Sequence, residues 1–308
     1  MIKEKFTVVY IIGDVRSGST LLDYLLSFYP NSHSLGELHQ LNNYFNKKGK
    51  GIERDWKCSC NKHVLKCEFW RPILDKVSFT NTYKTRFNCV EPSWVSINPS
   101  IHKWALKMKF NKKSDTIEKK KFSKNIWNLY NAVFDHTGKR LIIDSSKSGS
   151  EALFLNKFKE GNIKFLLLER EIGAVSYSKF KRSNKTKSLY NIEPKSIFQY
   201  ILGSYKVLRR NRMIADLIQE NSNENKVMKI NYRDLASNPD KIISEISEFL
   251  GIETFNIPSR TNQQNEKLHV LGGSPSRHST SKICVDESWK KYYSDKPLPR
   301  LLTKLLNR

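Results

Sequence analysis

Apolar residues in this chain fall into a few short continuous runs, separated by longer amphipathic or polar stretches. Four runs read as strands: "FTVVYII" (Phe6 to Ile12), "RLIID" (Arg140 to Asp144), "IKFLLLE" (Ile163 to Glu169) and "KVMKIN" (Lys226 to Asn231). They are continuous rather than alternating, which predicts strands buried on both faces. A polar turn and a helical pattern follow each one. Helices are predicted to begin near Ser19, Gly149, Gly173 and Asn238, the last opened by "SNPD", where proline fits the first turn without removing a needed donor. A long helix is predicted over Pro194 to Asn221. This alternation predicts an α/β fold: a mostly parallel central sheet with helices on both faces.

Between the first two runs lies a polar, aromatic and basic interval, about residues 38–138. It reads as a mainly helical insertion with one cysteine-bearing loop, forming a lid or acceptor wall. Within it, "WNLYNAVF" (Trp127 to Phe134) reads as core at helical spacing. Arg260 to Ser281 reads as irregular loop, and there is no internal repeat. With 308 residues, 38% of them hydrophobic, the expectation is a single domain spanning 1–308. The run Phe6 to Ile12 is far shorter than the roughly 20 residues of a membrane helix, and no small-residue cleavage site follows it. A cytoplasmic protein is expected.

Charge changes the picture more than composition does. A net charge of +24 favours anionic partners: nucleic acid, the surface of an anionic membrane, or an anionic cofactor. Lysine and arginine crowd three stretches, Lys103 to Lys124, Ser178 to Lys187 and Lys206 to Arg212, none framed by a zinc finger or a glycine-rich motif. Solvated helix faces explain such stretches equally well. The five cysteines are an odd number in a chain too large to need stapling, which fits a reducing compartment.

The first strand runs into "GDVRSGST", nearly the nucleotide-binding pattern G-x-x-x-x-G-K-[ST]. Gly13, Gly18 and Thr20 fit, Ser19 stands where the lysine belongs, and Arg16 places a cation inside the loop. Backbone N–H groups and the positive end of a helix starting near Ser19 then define an anion site. Arg16 offers a flat fork of donors suited to an anion bound without metal. After the third strand, Arg170 and Ser178 stand eight residues apart, about two helical turns, where both can face one crevice. Cys58, Cys60, His63 and Cys67 form a four-ligand zinc candidate, although C-x-C is tighter than the usual C-x₂₋₄-C. A buried thiol cluster and an adventitious disulfide are the competing readings. A P-loop kinase would share Gly13, Gly18 and Thr20 and recruit Asp144 for metal, but it would lack the loop lysine. A nucleic-acid binder would use the basic stretches.

"GDVRSGSTLL" followed by "LLLEREIGAVSYS" resembles the paired signatures of sulfotransferases that use 3′-phosphoadenosine 5′-phosphosulfate (PAPS). "LIIDSSKS" (Leu141 to Ser148), "INYRDLASNP" (Ile230 to Pro239) and "HVLGGSPSRH" (His269 to His278) resemble further segments of bacterial members, in the same order. Gly273, Ser274 and Pro275 stand where that family usually reads glycine-asparagine-proline.

The resemblance implies PAPS as co-substrate, adenosine 3′,5′-bisphosphate as product and no catalytic metal. It implies a 5′-phosphosulfate site at Arg16, Ser17, Gly18, Ser19 and Thr20, a 3′-phosphate grip by Arg170 and Ser178, and a late loop carrying Gly273 and Arg277. Sulfuryl transfer needs a base and cations. Arg16 and Lys147 are the candidate cations, and Glu37, from a glycine-glutamate pair, is the candidate base, with His33 and His39 as runners-up. The expected acceptor is a hydroxylated small molecule, carbohydrate or lipid, with no specific nucleic acid.

Overall fold

The first apolar run forms β1 (Thr7–Gly13) at the centre of the sheet. Its side chains divide between two cores: Val8, Tyr10 and Ile12 enter one, Val9 and Ile11 the other, all fully buried. Two covered faces are what a continuous apolar strand requires. The computed structural model describes residues 5–41, 57–77, 116–190, 196–257, 269–273 and 283–307. Within them β1 is followed by α1 (Ser19–Leu26), β2 (Ser32–Gly36), α2 (Trp70–Lys76), α3 (Thr116–Thr137), β3 (Leu141–Lys147), α4 (Gly149–Lys157), β4 (Asn162–Glu169) and α5 (Ile172–Tyr190). The chain continues through α6 (Ile197–Glu220), β5 (Val227–Asn231), α7 (Tyr232–Ser237), α8 (Pro239–Leu250), α9 (Ser288–Tyr293) and α10 (Pro297–Leu306).

The strand order is β2-β3-β1-β4-β5 and every pair is parallel. Buried residues of α1, α7 and α8 pack on one face, and those of α3, α4 and α6 on the other. The fold is α/β, as the alternation predicts. Its helix starts also agree: Ser148 caps α4 through the Glu151 N–H, and Asn238 caps α8, whose first residue is Pro239. The long helix is closed at its N-terminus by a capping box of Ser196 and Gln199. Trp127, Leu129, Tyr130 and Val133 of α3 are fully buried, as their spacing implies.

Three expectations need correction. The sheet has a fifth strand, β2, whose sequence "SHSLG" lacks an apolar run; its residues are nonetheless all buried, and Ser34 Oγ donates to Asp23 Oδ1 at 2.6 Å. β5, at the other edge of the sheet, is not buried on both faces: of its residues only Ile230 is buried, and Lys229 is exposed against Asp216. Inside the stretch expected as irregular loop, Leu271 bridges both Gly36 and Cys58, so residues 269–273 run along the β2 edge of the sheet.

The connection after β1 runs to β2 on one side of the sheet and those after β3 and β4 run to the other, and the crevice of such a sheet opens beyond the carboxyl ends of its strands. Among the described residues no helix is long and apolar enough to cross a membrane.

Candidate active site

Each of the five strands delivers one side chain to this crevice. Arg16 follows β1, Glu37 follows β2, Lys147 ends β3, Arg170 follows β4 and Tyr232 follows β5; all five line one cleft of about 260 Å³. Gly18, Ser19, Thr20 and Gly273 border the same space.

The first loop is built by close approach. At Gly18, with φ of 100°, a Cβ would lie 2.3 Å from the Tyr232 ring, so only glycine fits between α1 and the end of β5. Arg16 adopts a left-handed φ of 75°, a conformation that costs a non-glycine residue about 1–3 kcal/mol. Neighbours fix it there: its Nε donates to Ser178 Oγ at 2.9 Å, and Arg170 Nη1 donates to its carbonyl oxygen at 3.1 Å. The sequence-predicted residues Arg16, Arg170 and Ser178 therefore form one connected group. α1 has no side-chain cap, and its N-terminal turn borders the cleft, which favours an anion.

Positive charge is concentrated here. The Arg16 guanidinium is held below its usual pKa first by burial and then by repulsion from Arg182 and Arg170. Arg170 is 8% exposed, lies 4.1 Å over the Tyr232 ring and reaches Asp286 at 3.3 Å. Two buried polar atoms, Ser17 Oγ and Arg170 Nε, have no hydrogen-bond partner among the described residues. The sequence reading missed Arg182, Tyr232 and Asp286 as lining residues. The signal for Arg182 was its position four residues after Ser178, on the same face of α5.

Lys147, also left-handed with φ of 70°, donates from Nζ to Glu37 Oε1. Gln40 Nε2 donates to Glu37 Oε2 at 3.0 Å, and His39 Nε2 lies 3.9 Å from that oxygen. Burial pushes the Glu37 carboxyl up, but the Lys147 ammonium and these hydrogen bonds outweigh it and hold the group below its usual value. His33 is not part of this arrangement. It is stacked on Phe69 at 4.4 Å, and burial followed by nearby cationic groups lowers its pKa to about 4. Asp144, the carboxylate a kinase would use for metal, is buried and accepts from Tyr130 Oη at 2.7 Å and from the Ser146 N–H at 2.9 Å. It does not line the cleft. Arg277 and Ser274 lie outside the described residues.

The cysteine loop differs from its sequence reading in one ligand. Cys58, Cys60 and Cys67 converge with His269, not with His63, all four ligand atoms lying within 4.8 Å of one another. His63 instead accepts a hydrogen bond from the Leu65 N–H at 3.2 Å and caps the turn Val64–Lys66.

The chain is thus an all-parallel α/β protein with a P-loop-like turn and a basic cleft at the carboxyl edge of its sheet. Residues 9–256 match the sequence profile described as the Sulfotransferase family, and the chain belongs to that family. The fold is similar to the sulfotransferase domain of an olefin synthase from Synechococcus PCC 7002 (17% identity, TM-score 0.49, covering 99% of this chain and 96% of that one). It is also similar to the sulfotransferase domain of the curacin biosynthetic pathway (14% identity, TM-score 0.48, 99% of each chain). A third similar structure is a sulfotransferase from Alicyclobacillus acidocaldarius (14% identity, TM-score 0.42, 100% and 97% coverage). No curated protein sequence matches the chain.

Proposed function

We propose that the protein transfers a sulfuryl group from PAPS to a hydroxyl of an acceptor and releases adenosine 3′,5′-bisphosphate. The observation that carries this reading is the convergence of Arg16, Lys147, Arg170 and Arg182 on one cleft beside the half-buried carboxylate of Glu37, with the exposed Asp286 at its margin. The residues suit a ligand with two separate anionic groups. Arg16 and the N-terminal turn of α1, with the backbone of Ser17, Gly18, Ser19 and Thr20, hold the 5′-phosphosulfate; the Ser17 side chain is buried beneath the loop beside Gly13 and does not line the cleft. Arg170, with its unused Nε, and Ser178 hold the 3′-phosphate, assisted by Arg182 and by the late loop that carries Gly273 and Arg277. Charge-assisted donors of this kind fix a dianion without a metal ion.

In the reaction the acceptor O–H gives its proton to the Glu37 carboxylate while its oxygen bonds to sulfur. The bond between sulfur and the 5′-phosphate oxygen breaks, its electron pair stays on that oxygen, and Lys147 and Arg16 stabilise the charge that develops there. The ion pair of Glu37 and Lys147 gives this a sequence. While Lys147 is on Glu37 the carboxylate is a weak base; once Lys147 turns toward the phosphosulfate, burial raises the basicity of Glu37. Base strength thereby depends on the presence of the donor. The interval 38–138 supplies the acceptor wall in this reading, with Phe122, Ile126 and Leu129 of α3 meeting Leu38 and His39 directly after Glu37.

The test is incubation with radiolabelled PAPS and fractionated cell extract, with calorimetry of adenosine 3′,5′-bisphosphate in parallel. Label transfer to an acceptor and metal-independent binding of the bisphosphate are expected. Tighter binding of magnesium ATP than of the bisphosphate would replace this reading with a kinase.

A further inference from the structure

We infer that Cys58, Cys60, Cys67 and His269 bind one structural zinc ion, which fastens residues 269–273 to the cysteine hairpin and to the edge of the sheet. The ligand spacing fits a single tetrahedral ion. Zinc–sulfur and zinc–nitrogen bonds of about 2.3 and 2.0–2.1 Å at tetrahedral angles put two sulfurs about 3.8 Å apart, and a sulfur and a nitrogen about 3.6 Å apart. Cys60 Sγ and Cys67 Sγ are 3.7 Å apart, and His269 Nδ1 lies 3.7 Å from Cys58 Sγ and 3.2 Å from Cys67 Sγ. A disulfide would use two of the three sulfurs and leave the imidazole without a purpose; the three cysteines are free thiols.

The backbone is shaped for the ligands on both sides. Cys58 and Cys60 sit on a tight hairpin in which the Cys58 N–H donates to Lys62 O at 3.0 Å, and Asn61 turns the chain with a left-handed φ of 63°. His269 is also left-handed, with φ of 47°. Among the described residues, the only non-glycine positions with positive φ are these two and the cleft cations Arg16 and Lys147. Such strain persists where surrounding structure over-determines it. The His269 ring is stacked on Phe69, 5.4 Å between centroids with planes 7° apart, and its carbonyl accepts from Trp70 Nε1 at 2.6 Å. The imidazole is thus oriented by packing.

From His269 the chain runs directly to the cleft. Ser59 exchanges hydrogen bonds with Val270 in both directions, Leu271 N donates to Leu35 O at 3.0 Å, and Glu37 N donates to Leu271 O at 2.8 Å. Gly273, two residues on, borders the cleft. The zinc therefore anchors the segment against which the Glu37 backbone is hydrogen-bonded.

The test is metal analysis of full-length protein purified under reducing conditions, followed by cobalt replacement. One zinc per chain is expected, with a tetrahedral cobalt spectrum and intense thiolate charge transfer. His63→Ala should keep the metal. His269→Ala should lower zinc affinity by more than the 10- to 100-fold typical of losing an outer partner, and His269→Cys, which restores four ligands, should recover it. In hydrogen exchange of the intact protein, chelation should deprotect residues 57–67 and 269–273 while β1 and β4 stay protected. Reduced protein that takes up no stoichiometric zinc or cobalt overturns the site. Loss of metal in His63→Ala but not in His269→Ala overturns the ligand assignment, and unchanged exchange at 269–273 after chelation overturns the anchoring role.

Discussion

The Lys147 ammonium donates to the Glu37 carboxylate across the carboxyl ends of β3 and β2, with 11% and 14% of the two side chains exposed. The candidate cation and the candidate base are therefore one unit, and each sets the electrostatics of the other. The backbone beneath each side chain is held in place. Glu37 is fixed through its N–H to Leu271, and Lys147 by the sharp left-handed turn that ends β3.

Lys147→Ala is expected to change the pH dependence of turnover as well as its size. Burial raises the Glu37 pKa and Lys147 lowers it, with Lys147 and the flanking hydrogen bonds prevailing in the intact protein. A base must be ionised, so activity falls as pH drops through its pKa. The wild-type acid limb of kcat/KM should lie below the ordinary carboxyl range, and removal of Lys147 should move it upward. Lys147→Arg should return the limb toward wild type. An acid limb identical in wild type and Lys147→Ala would show that Glu37 is not the titrating base.

Glu37→Gln should separate chemistry from binding. Its carboxylate acts on the acceptor proton, so bisphosphate affinity should hold while kcat drops by about 10²- to 10⁴-fold, the usual range for a general base. Arg16→Ala should lose affinity and rate together, because that cation contacts the donor in ground and transition states alike. His33→Ala should leave the rate of the folded enzyme near wild type, since His33 lies against Phe69 and outside the cleft. If Glu37→Gln turns over normally and His39→Ala does not, the base is His39, which is 3.9 Å from the Glu37 carboxylate.

Arg170→Ala tests the 3′-phosphate grip. A hydrogen bond to a charged group contributes about 1.5–3 kcal/mol, so the bisphosphate should bind about 10- to 150-fold more weakly. Adenosine 5′-phosphate should lose much less. Equal losses by calorimetry would mean that Arg170 serves mainly to brace the Arg16 carbonyl, to pack on Tyr232 and to pair with Asp286.

What could be read from the sequence follows from where the information is local. β1 and β4 announce themselves because burial on both faces demands continuous apolar runs, and Gly18 because a packed strand-to-helix turn demands glycine. β2 was hidden because it has no apolar run: Ser34 is buried on Asp23 and His33 on Phe69, and its edge is covered by a segment more than 230 residues later. The same distance hid His269: spacing favoured His63, four residues before Cys67, while the fold brings in a side chain from the far end of the chain. Charge was ambiguous for a related reason. In "KVLRRNR", Arg212 is spent on a two-pronged pair with Glu169 at 2.8 and 2.7 Å, whereas Arg182, in an equally basic stretch, reaches the cleft.

Asp144 should act as a positioning residue whose protonation is visible in stability. It accepts from Tyr130 and from the Ser146 N–H and hydroxyl, and Ser146 in turn accepts from the His39 N–H at 3.1 Å, so Asp144 braces the turn that presents Lys147. Burial, only partly offset by these hydrogen bonds, raises its pKa from 3.8 to about 6. Between those values the folded protein keeps a proton that the unfolded chain has released, so this group's contribution makes stability fall as pH rises through the window. Asp144→Asn removes the titration. The variant should be less stable than wild type near pH 4, where a neutral carboxyl already fits, and the gap should narrow by about 2–3 kcal/mol as pH rises past 6. Urea unfolding of both proteins at several pH values measures this. A gap that stays constant with pH would mean that Asp144 is ionised throughout, with its hydrogen bonds outweighing the cost of burial.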